Sequence, residues 1–281
     1  MLFKDLRKDF DSKLEGIYDK RELQAIERQV FQHVLGYSPA ELSLHLEDNI
    51  NSAQVNAVRD IISELQSKRP LQYIIGETEF HGFLVKVDPR VLIPRPETEE
   101  LVAWILEDEP GETILDIGTG SGCIAIALSR KIRSSHVFAT DFMQDAVDVA
   151  TENAKLNQTE VKFILHDILN YNGNPFPVNY DIIVSNPPYV TESEKELMDD
   201  NVLKYEPESA LFVPDDDPLK YYKAITEFAN EYLTDDGKLF FEINEEMADR
   251  MERMLNKRGF DDVKFRRDIN RKTRMVRAQR S

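Results

Sequence analysis

Apolar residues in the first 70 positions follow a helical period rather than the alternation of a strand. Two stripes recur every three or four residues, at Leu23, Ile26, Val30 and Val34 and at Val55, Val58, Ile61, Ile62 and Leu65. Ser38-Pro39 and Asn51-Ser52 are typical helix starts, with a polar cap and, in the first, a proline suited to the first turn. The pattern predicts a small helical domain over residues 1–70.

Residues 71–90 change to strand character. Residues 73–75 and 83–87 are apolar, and between them lies Phe80-His81-Gly82, where glycine favours a turn. We expect residues 73–75 and 83–87 to be strands of a β-hairpin linker, with His81 in its turn.

From residue 91 to residue 281 the pattern alternates between strands and helices. Strands are predicted at 113–117, 137–140, 161–165, 182–185, 238–243, 262–267 and 273–278, and helices at 121–131, 143–156, 219–233 and 245–257. This alternation predicts an α/β domain with a parallel sheet covered by helices on both faces.

Composition narrows the classes of function. The formal charge is −17, and residues 76–263 hold 17 basic and 39 acidic groups. Such an acidic body repels phosphates, so we expect no direct nucleic-acid binding. No apolar run approaches the ~20 residues that cross a bilayer, and the N-terminus resembles no signal peptide, so we expect a cytoplasmic protein without membrane contact. The single cysteine, Cys123, excludes an internal disulfide and gives no cysteine spacing for a metal site.

A glycine-rich loop follows the first strand of the predicted sheet, in the sequence Leu-Asp-Ile-Gly-Thr-Gly-Ser-Gly at residues 115–122. A Walker loop would continue with Lys-Ser or Lys-Thr, but the chain continues Cys123-Ile124. A dinucleotide fingerprint would need its third glycine at Cys123, which weakens that interpretation. Asp141 ends the next strand, and a carboxylate there can accept both hydroxyls of a ribose. The loop therefore predicts a ribose-bearing cofactor without choosing which one.

Asn186-Pro187-Pro188-Tyr189 follows a buried strand and must end it, because proline cannot continue a sheet. One interpretation of the segment is a plain strand terminator, but it also suits chemistry on an amide nitrogen. Such a nitrogen is a poor nucleophile until acceptors on its N–H groups pull it toward tetrahedral geometry. The Asn186 side-chain oxygen and the Pro187 carbonyl can be those acceptors, and Tyr189 can stack on the planar amide.

Together these motifs resemble a known family. The glycine loop with an acidic residue before it resembles S-adenosylmethionine-dependent methyltransferases, and the Asn-Pro-Pro-Tyr segment resembles those that act on planar amino or amide nitrogens. Residues 91–101 (Val-Leu-Ile-Pro-Arg-Pro-Glu-Thr-Glu-Glu-Leu), Asn153-Ala154 with Asn157, and residues 205–211 (Tyr-Glu-Pro-Glu-Ser-Ala-Leu) are similar to the release-factor glutamine methyltransferases. This resemblance implies a Rossmann-like sheet of seven strands and methylation of the glutamine in the Gly-Gly-Gln loop of peptide chain release factors.

The resemblance also implies roles for individual residues. The cofactor, S-adenosylmethionine, would be bound by Gly118, Thr119, Gly120, Ser121, Gly122, Asp141, Asp167, Ile168 and Asn186. Asn186, Pro187 and Tyr189 would be catalytic, and the target amide would be held by Asn186, Pro187, Pro188, Tyr189, Arg95, Glu97 and Thr98. Asp167 is also typical of a turn or helix cap, and Glu97 of a first helical turn.

Two positions depart from the family pattern. Met143 replaces a serine two residues after Asp141, and Asn244 replaces a glycine after Glu242-Ile243. We expect neither to touch the chemistry. A DNA or RNA amino-methyltransferase with the same Asn186 segment stays an alternative, although the acidic body opposes it. We expect a monomer whose partner is the release factor.

Overall fold

The structure, a computed structural model, describes residues 1–108, 111–171, 173–176 and 178–280. Its helices are α1 Phe3–Leu14, α2 Lys20–Leu35, α3 Glu41–Leu44, α4 Ser52–Gln66, α5 Leu71–Ile75, α6 Pro96–Glu107, α7 Cys123–Lys131, α8 Gln144–Leu156, α9 Asp200–Tyr205, α10 Lys220–Tyr232 and α11 Ala248–Lys257. Its strands are β1 Glu77–Phe80, β2 Phe83–Lys86, β3 Thr113–Ile117, β4 His136–Asp141, β5 Val161–Leu165, β6 Tyr180–Ser185, β7 Val190–Thr191, β8 Phe212–Val213, β9 Leu233–Glu242, β10 Phe260–Arg267 and β11 Thr273–Arg280.

The chain divides into two compact units. The first comprises Met1–Gly76 with Asp199–Tyr205, and the second comprises Glu77–Met198 with Glu206–Ser281. Within the described residues, no helix is both long enough and apolar enough to cross a membrane.

The first unit is helical, as its apolar stripes predict. The stripes of α2 and α4 pack with α1 around buried residues such as Phe10, Val30 and Val58. The predicted start at Asn51 is confirmed, since its side chain accepts from the Gln54 N–H and Gln54 reciprocates in a capping box. Ser38-Pro39 does not begin a helix. The short helix α3 begins at Glu41, whose carboxylate instead accepts from the N–H and hydroxyl of Ser38.

The prediction that residues 73–75 form a strand is wrong, because they lie in helix α5. A short apolar run does not distinguish a strand from a buried helical turn, and packing decides here: Leu71 and Tyr73 are buried. The hairpin lies further along, between β1 and β2, where Phe80 pairs with Phe83. His81 and Gly82 form the two-residue turn, both with positive φ (49° and 81°), as primed hairpin turns require.

The second unit contains, among its described residues, a seven-stranded sheet in the order β10-β11-β9-β6-β3-β4-β5. The predicted strands are all present, but the sheet is not wholly parallel, because β11 runs antiparallel to both β9 and β10. The short connection 268–272 explains this difference, since joining parallel neighbours needs a long crossover. Helices differ from prediction mainly at their starts: α7 begins at Cys123, and α11 at Ala248 after the 3-10 turn Glu245–Met247.

The strand order reverses direction between β3 and β6. From β3 the chain moves outward through β4 to β5, and it then returns to pair β6 with the other side of β3. Ligands of open α/β sheets bind at the carboxyl ends of the strands at such a switch point. The fold therefore brings together the glycine loop after β3 and the Asn186 segment after β6.

Candidate active site

The glycine loop turns sharply as it leaves β3. Gly118, Gly120 and Gly122 have φ of 74°, 54° and 83°, a region that side-chain-bearing residues rarely adopt. The loop is held in place by the N–H groups of Gly118 and Thr119, which donate to the Thr140 carbonyl at 2.8 and 2.9 Å. A Cβ on Gly120 would meet no atom within 4 Å, so the loop leaves open space for a ligand to approach its backbone.

Asp116 lies beneath this loop and is fully buried. The hydroxyl of Thr119 donates to its Oδ2 atom at 2.6 Å, which ties the loop to strand β3. Burial raises the pKa of Asp116 to about 7, because the charged form loses its hydration. The Asp116 carboxyl, which precedes the glycines in sequence, therefore helps to fix the conformation of the glycine loop through Thr119.

Asp141 ends β4 beside the glycine loop. Its Oδ2 atom accepts from the Gly120 N–H at 2.9 Å and its Oδ1 atom from the Met143 N–H at 3.0 Å. Burial raises the pKa of this carboxyl. An ionised carboxylate has about four acceptor sites, so two stay available for the hydroxyls of a ribose. The open backbone at Gly120 and this carboxylate fit a ribose-bearing cofactor.

Asp167 makes a local turn after β5. Its Oδ1 atom accepts from the Leu169 N–H at 2.9 Å, and its Oδ2 atom accepts from the Asn170 amide at 2.7 Å. Asp167 and Ile168 nevertheless line the same cavity as the glycine loop and Asp141. A turn role and a place in the site coexist at this residue.

The Asn186 segment is connected to helix α6 and strand β9 by a chain of hydrogen bonds. Asn186 Nδ2 donates to Thr98 Oγ1 at 3.2 Å, and the Thr98 hydroxyl donates to Glu242 Oε2 at 2.7 Å. The Tyr189 hydroxyl reaches Glu242 Oε1 at 3.3 Å. Glu242 is only 1% exposed, and burial raises its pKa to about 7.

An ion pair between half-buried Arg95 and buried Glu206 holds the segment before α6. Arg95 donates to Glu206 Oε1 at 2.7 Å, and Glu206 Oε2 accepts from the Ile93 N–H at 3.3 Å. Because Glu206 is buried, this bidentate use of its carboxylate fixes residues 206–211 against residues 93–95. Two segments that are far apart in sequence thereby form one wall of the cavity.

One cavity collects most of the predicted site residues. It is lined by Arg95, Thr98, Gly118, Thr119, Gly120, Ser121, Asp141, Asp167, Ile168, Asn186, Pro187 and Pro188. Gly122, Glu97 and Tyr189 do not line it. Gly122 caps α7, Glu97 lies in the first turn of α6, and Tyr189 packs beside the core with its hydroxyl on Glu242.

Comparison with known proteins identifies the family. Residues 5–76 match the PrmC N-terminal domain family, and residues 97–205 match the Methyltransferase small domain family. A release factor glutamine methyltransferase of Bacteroides thetaiotaomicron is 41% identical over 268 residues, which cover 95% of this chain and 96% of the relative. The chain belongs to the release factor glutamine methyltransferase family.

Two further similarities agree with this assignment. The release factor glutamine methyltransferase of Flavobacterium psychrophilum is 38% identical over 99% of both chains. A crystal structure of a methyltransferase from Pyrococcus furiosus superposes with a TM-score of 0.51 at 19% identity, covering 70% of this chain and 88% of that one. The structural similarity, at so low an identity, concerns the fold, which is that of the class I methyltransferases.

Asn153 and Asn157, which belong to the family resemblance, have a structural purpose. The Asn153 side chain accepts from the Lys86 N–H and donates to the carbonyls of Lys86 and Ser121. Asn157 donates to the Leu84 carbonyl at 2.8 Å. Helix α8 is thereby joined to both the hairpin and the glycine loop.

Sequence reasoning missed Glu242 and Glu206 as parts of the site. Glu242 had a readable signal, since it is a charged residue at the end of the apolar strand 238–243. Charged side chains are seldom buried without a partner, so a polar partner for Glu242 could have been predicted from the sequence. Glu206 lies in the segment 205–211 that carries the family resemblance, but only the tertiary fold brings its carboxylate to Arg95 and Ile93.

The two departures from the family pattern differ in consequence. Met143 lines the same cavity as the glycine loop, and the expectation that it does not touch the chemistry stays a prediction. The Asp141 carboxylate accepts a hydrogen bond from the Met143 N–H, which holds the Met143 backbone beside the cavity. Asn244 lies outside the cavity lining, where its side chain accepts from the Glu246 N–H and donates to Glu194.

Proposed function

We propose that this protein transfers a methyl group from S-adenosylmethionine to the side-chain amide nitrogen of the glutamine in the Gly-Gly-Gln loop of peptide chain release factors. The observation that carries the proposal is the Asn186 amide, whose nitrogen is bound to Thr98 while its oxygen stays available as an acceptor beside the glycine loop. Membership of the release factor glutamine methyltransferase family supports the choice of substrate.

The cofactor would be held by the glycine loop and Asp141. Gly118 and Gly120 allow close approach to the backbone, and the carboxylate of Asp141 would accept the ribose hydroxyls. Asp167 and Ile168, which line the same cavity, would lie near the adenine. The bound cofactor supplies an electrophilic methyl group.

The target amide would be held by Asn186 and Pro187. Asn186 Oδ1 and the Pro187 carbonyl would accept the two N–H groups of the glutamine, which draws the nitrogen lone pair out of conjugation. Pro188 contributes no N–H, so no donor competes at that peptide bond. The nitrogen can lose its proton after the methyl group has moved, so the residues need only orient the amide in line with the methyl group.

The test is transfer of a radiolabelled methyl group from S-adenosylmethionine to purified release factor. We expect label on the release factor, and none on its Gln→Ala loop variant or on DNA. Asn186→Ala should reduce transfer by at least about 100-fold, since it removes an acceptor that orients the amide. Label on DNA but not on the release factor would refute the proposed substrate.

A further inference from the structure

The hydrogen bonds around Asn186 have a definite direction. The Thr98 Oγ1 atom lies 2.7 Å from Glu242 Oε2 and 3.2 Å from Asn186 Nδ2. In its ionised form the Glu242 carboxylate can only accept hydrogen bonds, so the one hydrogen of the Thr98 hydroxyl then points to Glu242. The Thr98 oxygen then offers only lone pairs to Asn186. The amide of Asn186 therefore turns its NH2 group to Thr98 and its Oδ1 atom away.

Glu242 is placed to maintain this direction. Its buried carboxylate also accepts the Tyr189 hydroxyl, so both oxygens are occupied by hydroxyl donors. Arg274 on β11 contributes positive charge that favours the ionised form of Glu242, whereas burial and the charge of Glu97 on α6 oppose it. The carboxylate lies outside the cavity lining, so it acts on the cavity only through its partners.

We propose that Glu242 is a positioning residue that, through Thr98, sets the direction of the Asn186 amide and makes the site selective for an amide over a carboxylate side chain. The inference rests on the proposed function, because it concerns the glutamine that Asn186 would hold. With its oxygen turned outward, Asn186 presents an acceptor beside the Pro187 carbonyl. A glutamine side chain offers N–H donors to these two acceptors. A glutamate carboxylate has only acceptor oxygens, so its lone pairs would repel those of Asn186 Oδ1 and the Pro187 carbonyl.

Loss of the Glu242 acceptor has a defined consequence for Asn186. A Thr98 hydroxyl without an acceptor can donate to Asn186 Oδ1 instead, and the amide then reverses. Its NH2 group would face the target, where it cannot accept the N–H of a glutamine. The rate of methyl transfer would fall, and a carboxylate would become better tolerated.

The first measurement is the kcat for release factor methylation by substituted enzymes. Glu242→Met removes the acceptor, and Thr98→Val removes the connecting hydroxyl; we expect kcat to fall about 100-fold in each, with a much smaller change in the KM for S-adenosylmethionine. Thr98→Ser, which keeps the hydroxyl, should recover most of the rate that Thr98→Val loses. Thr226→Val is the matched control, because Thr226 is a buried threonine that does not line the cavity and whose hydroxyl donates to the Tyr222 carbonyl.

The second measurement is inhibition by two release factor variants with the loop glutamine changed to glutamate or alanine. In the parent enzyme the glutamate variant should inhibit more weakly than the alanine variant, because its carboxylate faces acceptors. In Glu242→Met this difference should disappear or reverse. A purely structural role for Glu242 would weaken both inhibitors alike and leave their ratio unchanged.

The outcomes separate this inference from the proposed function. A parent enzyme that does not methylate release factor overturns both. A parent enzyme that methylates it, with full kcat in Thr98→Val or an unchanged inhibitor ratio in Glu242→Met, overturns the role of Glu242 alone. Loss of kcat in both variants together with a changed ratio supports it.

Discussion

The three glycines of the glycine loop serve different needs, although all have positive φ. Gly120 faces open space, and a Cβ on Gly118 would touch only Ser185 Oγ, at 4.0 Å. Gly122 is different, because a Cβ there would lie 3.0 Å from the Ala150 Cβ and 3.2 Å from its Cα. Helix α8 thus packs directly on the backbone of the loop, and Gly122 is needed for that close approach.

Gly122→Ala should therefore destabilise the protein by more than the cost of placing an alanine at a positive φ, because the added Cβ would also crowd Ala150. Gly259→Ala is the matched control, because Gly259 has a similar φ of 80° and a Cβ there would meet no atom within 4 Å. We expect a cost of about 1–2 kcal/mol for Gly259→Ala and at least about 1 kcal/mol more for Gly122→Ala. Urea unfolding measures both, and equal costs would argue against close packing at Gly122.

Among the elements, helix α8 holds the glycine loop and the hairpin in place. One face packs on the glycine loop at Ala150, and Asn153 bonds the backbone of Lys86 and Ser121. Asn153 is fully buried, so its three hydrogen bonds are formed away from water. The hairpin β1–β2 therefore depends on α8 for its attachment.

Asn153→Asp should weaken this attachment. An aspartate cannot donate, so the carbonyls of Lys86 and Ser121 would lose their partner and face a carboxylate oxygen. We expect the free energy of unfolding to fall by at least about 2 kcal/mol in urea titrations. Asn256→Asp, the same change at an exposed position of α11, should cost no more than about 0.5 kcal/mol. A similar cost in both variants would contradict the proposed role of Asn153.

At the scale of the whole molecule, a strongly acidic chain buries carboxyl groups in its second unit. Burial raises the pKa of Asp116 and Glu242 to about 7 and also raises that of Asp141. Between the unfolded and folded pKa values the native state holds a proton that the unfolded state has released. Stability from these groups is therefore complete at low pH and is lost as the pH rises toward about 7. Burial lowers the pKa of His166, so the stability that this group contributes changes with pH in the opposite direction.

Asp116→Asn isolates one of these contributions. The variant keeps an acceptor for Thr119 but cannot titrate, so its free energy of unfolding should fall less than that of the parent between pH 5 and pH 7. The expected difference in slope is about 1 kcal/mol per pH unit, measured by urea unfolding at several pH values. Asp235→Asn, at an exposed position, is the control and should keep the parent slope. Parallel curves for Asp116→Asn and the parent would contradict the prediction.

Local signals predicted most elements of the fold, and they failed where the signal was short. The stripes of α2 and α4 and the alternation after residue 97 each extend over many residues, so period alone identifies them. Residues 73–75 carry only a brief apolar run, which the packing of Leu71 and Tyr73 turns into a helix. The direction of β11 was likewise undetermined, because it depends on the short loop that joins it to β10.

The sequence by itself determined the chemistry that the site can offer. The glycine loop at 118–122 and the Asn186 segment each consist of residues that are adjacent in sequence. Both could therefore be recognised from the order of residues along the chain. Only the tertiary structure decided how Asn186 is directed. Thr98 lies 88 positions from Asn186 in the chain, and Glu242 lies 144 positions from Thr98 and 53 from Tyr189. A hydrogen bond depends on distance and angle in space, and no local pattern encodes those between residues so far apart in the chain.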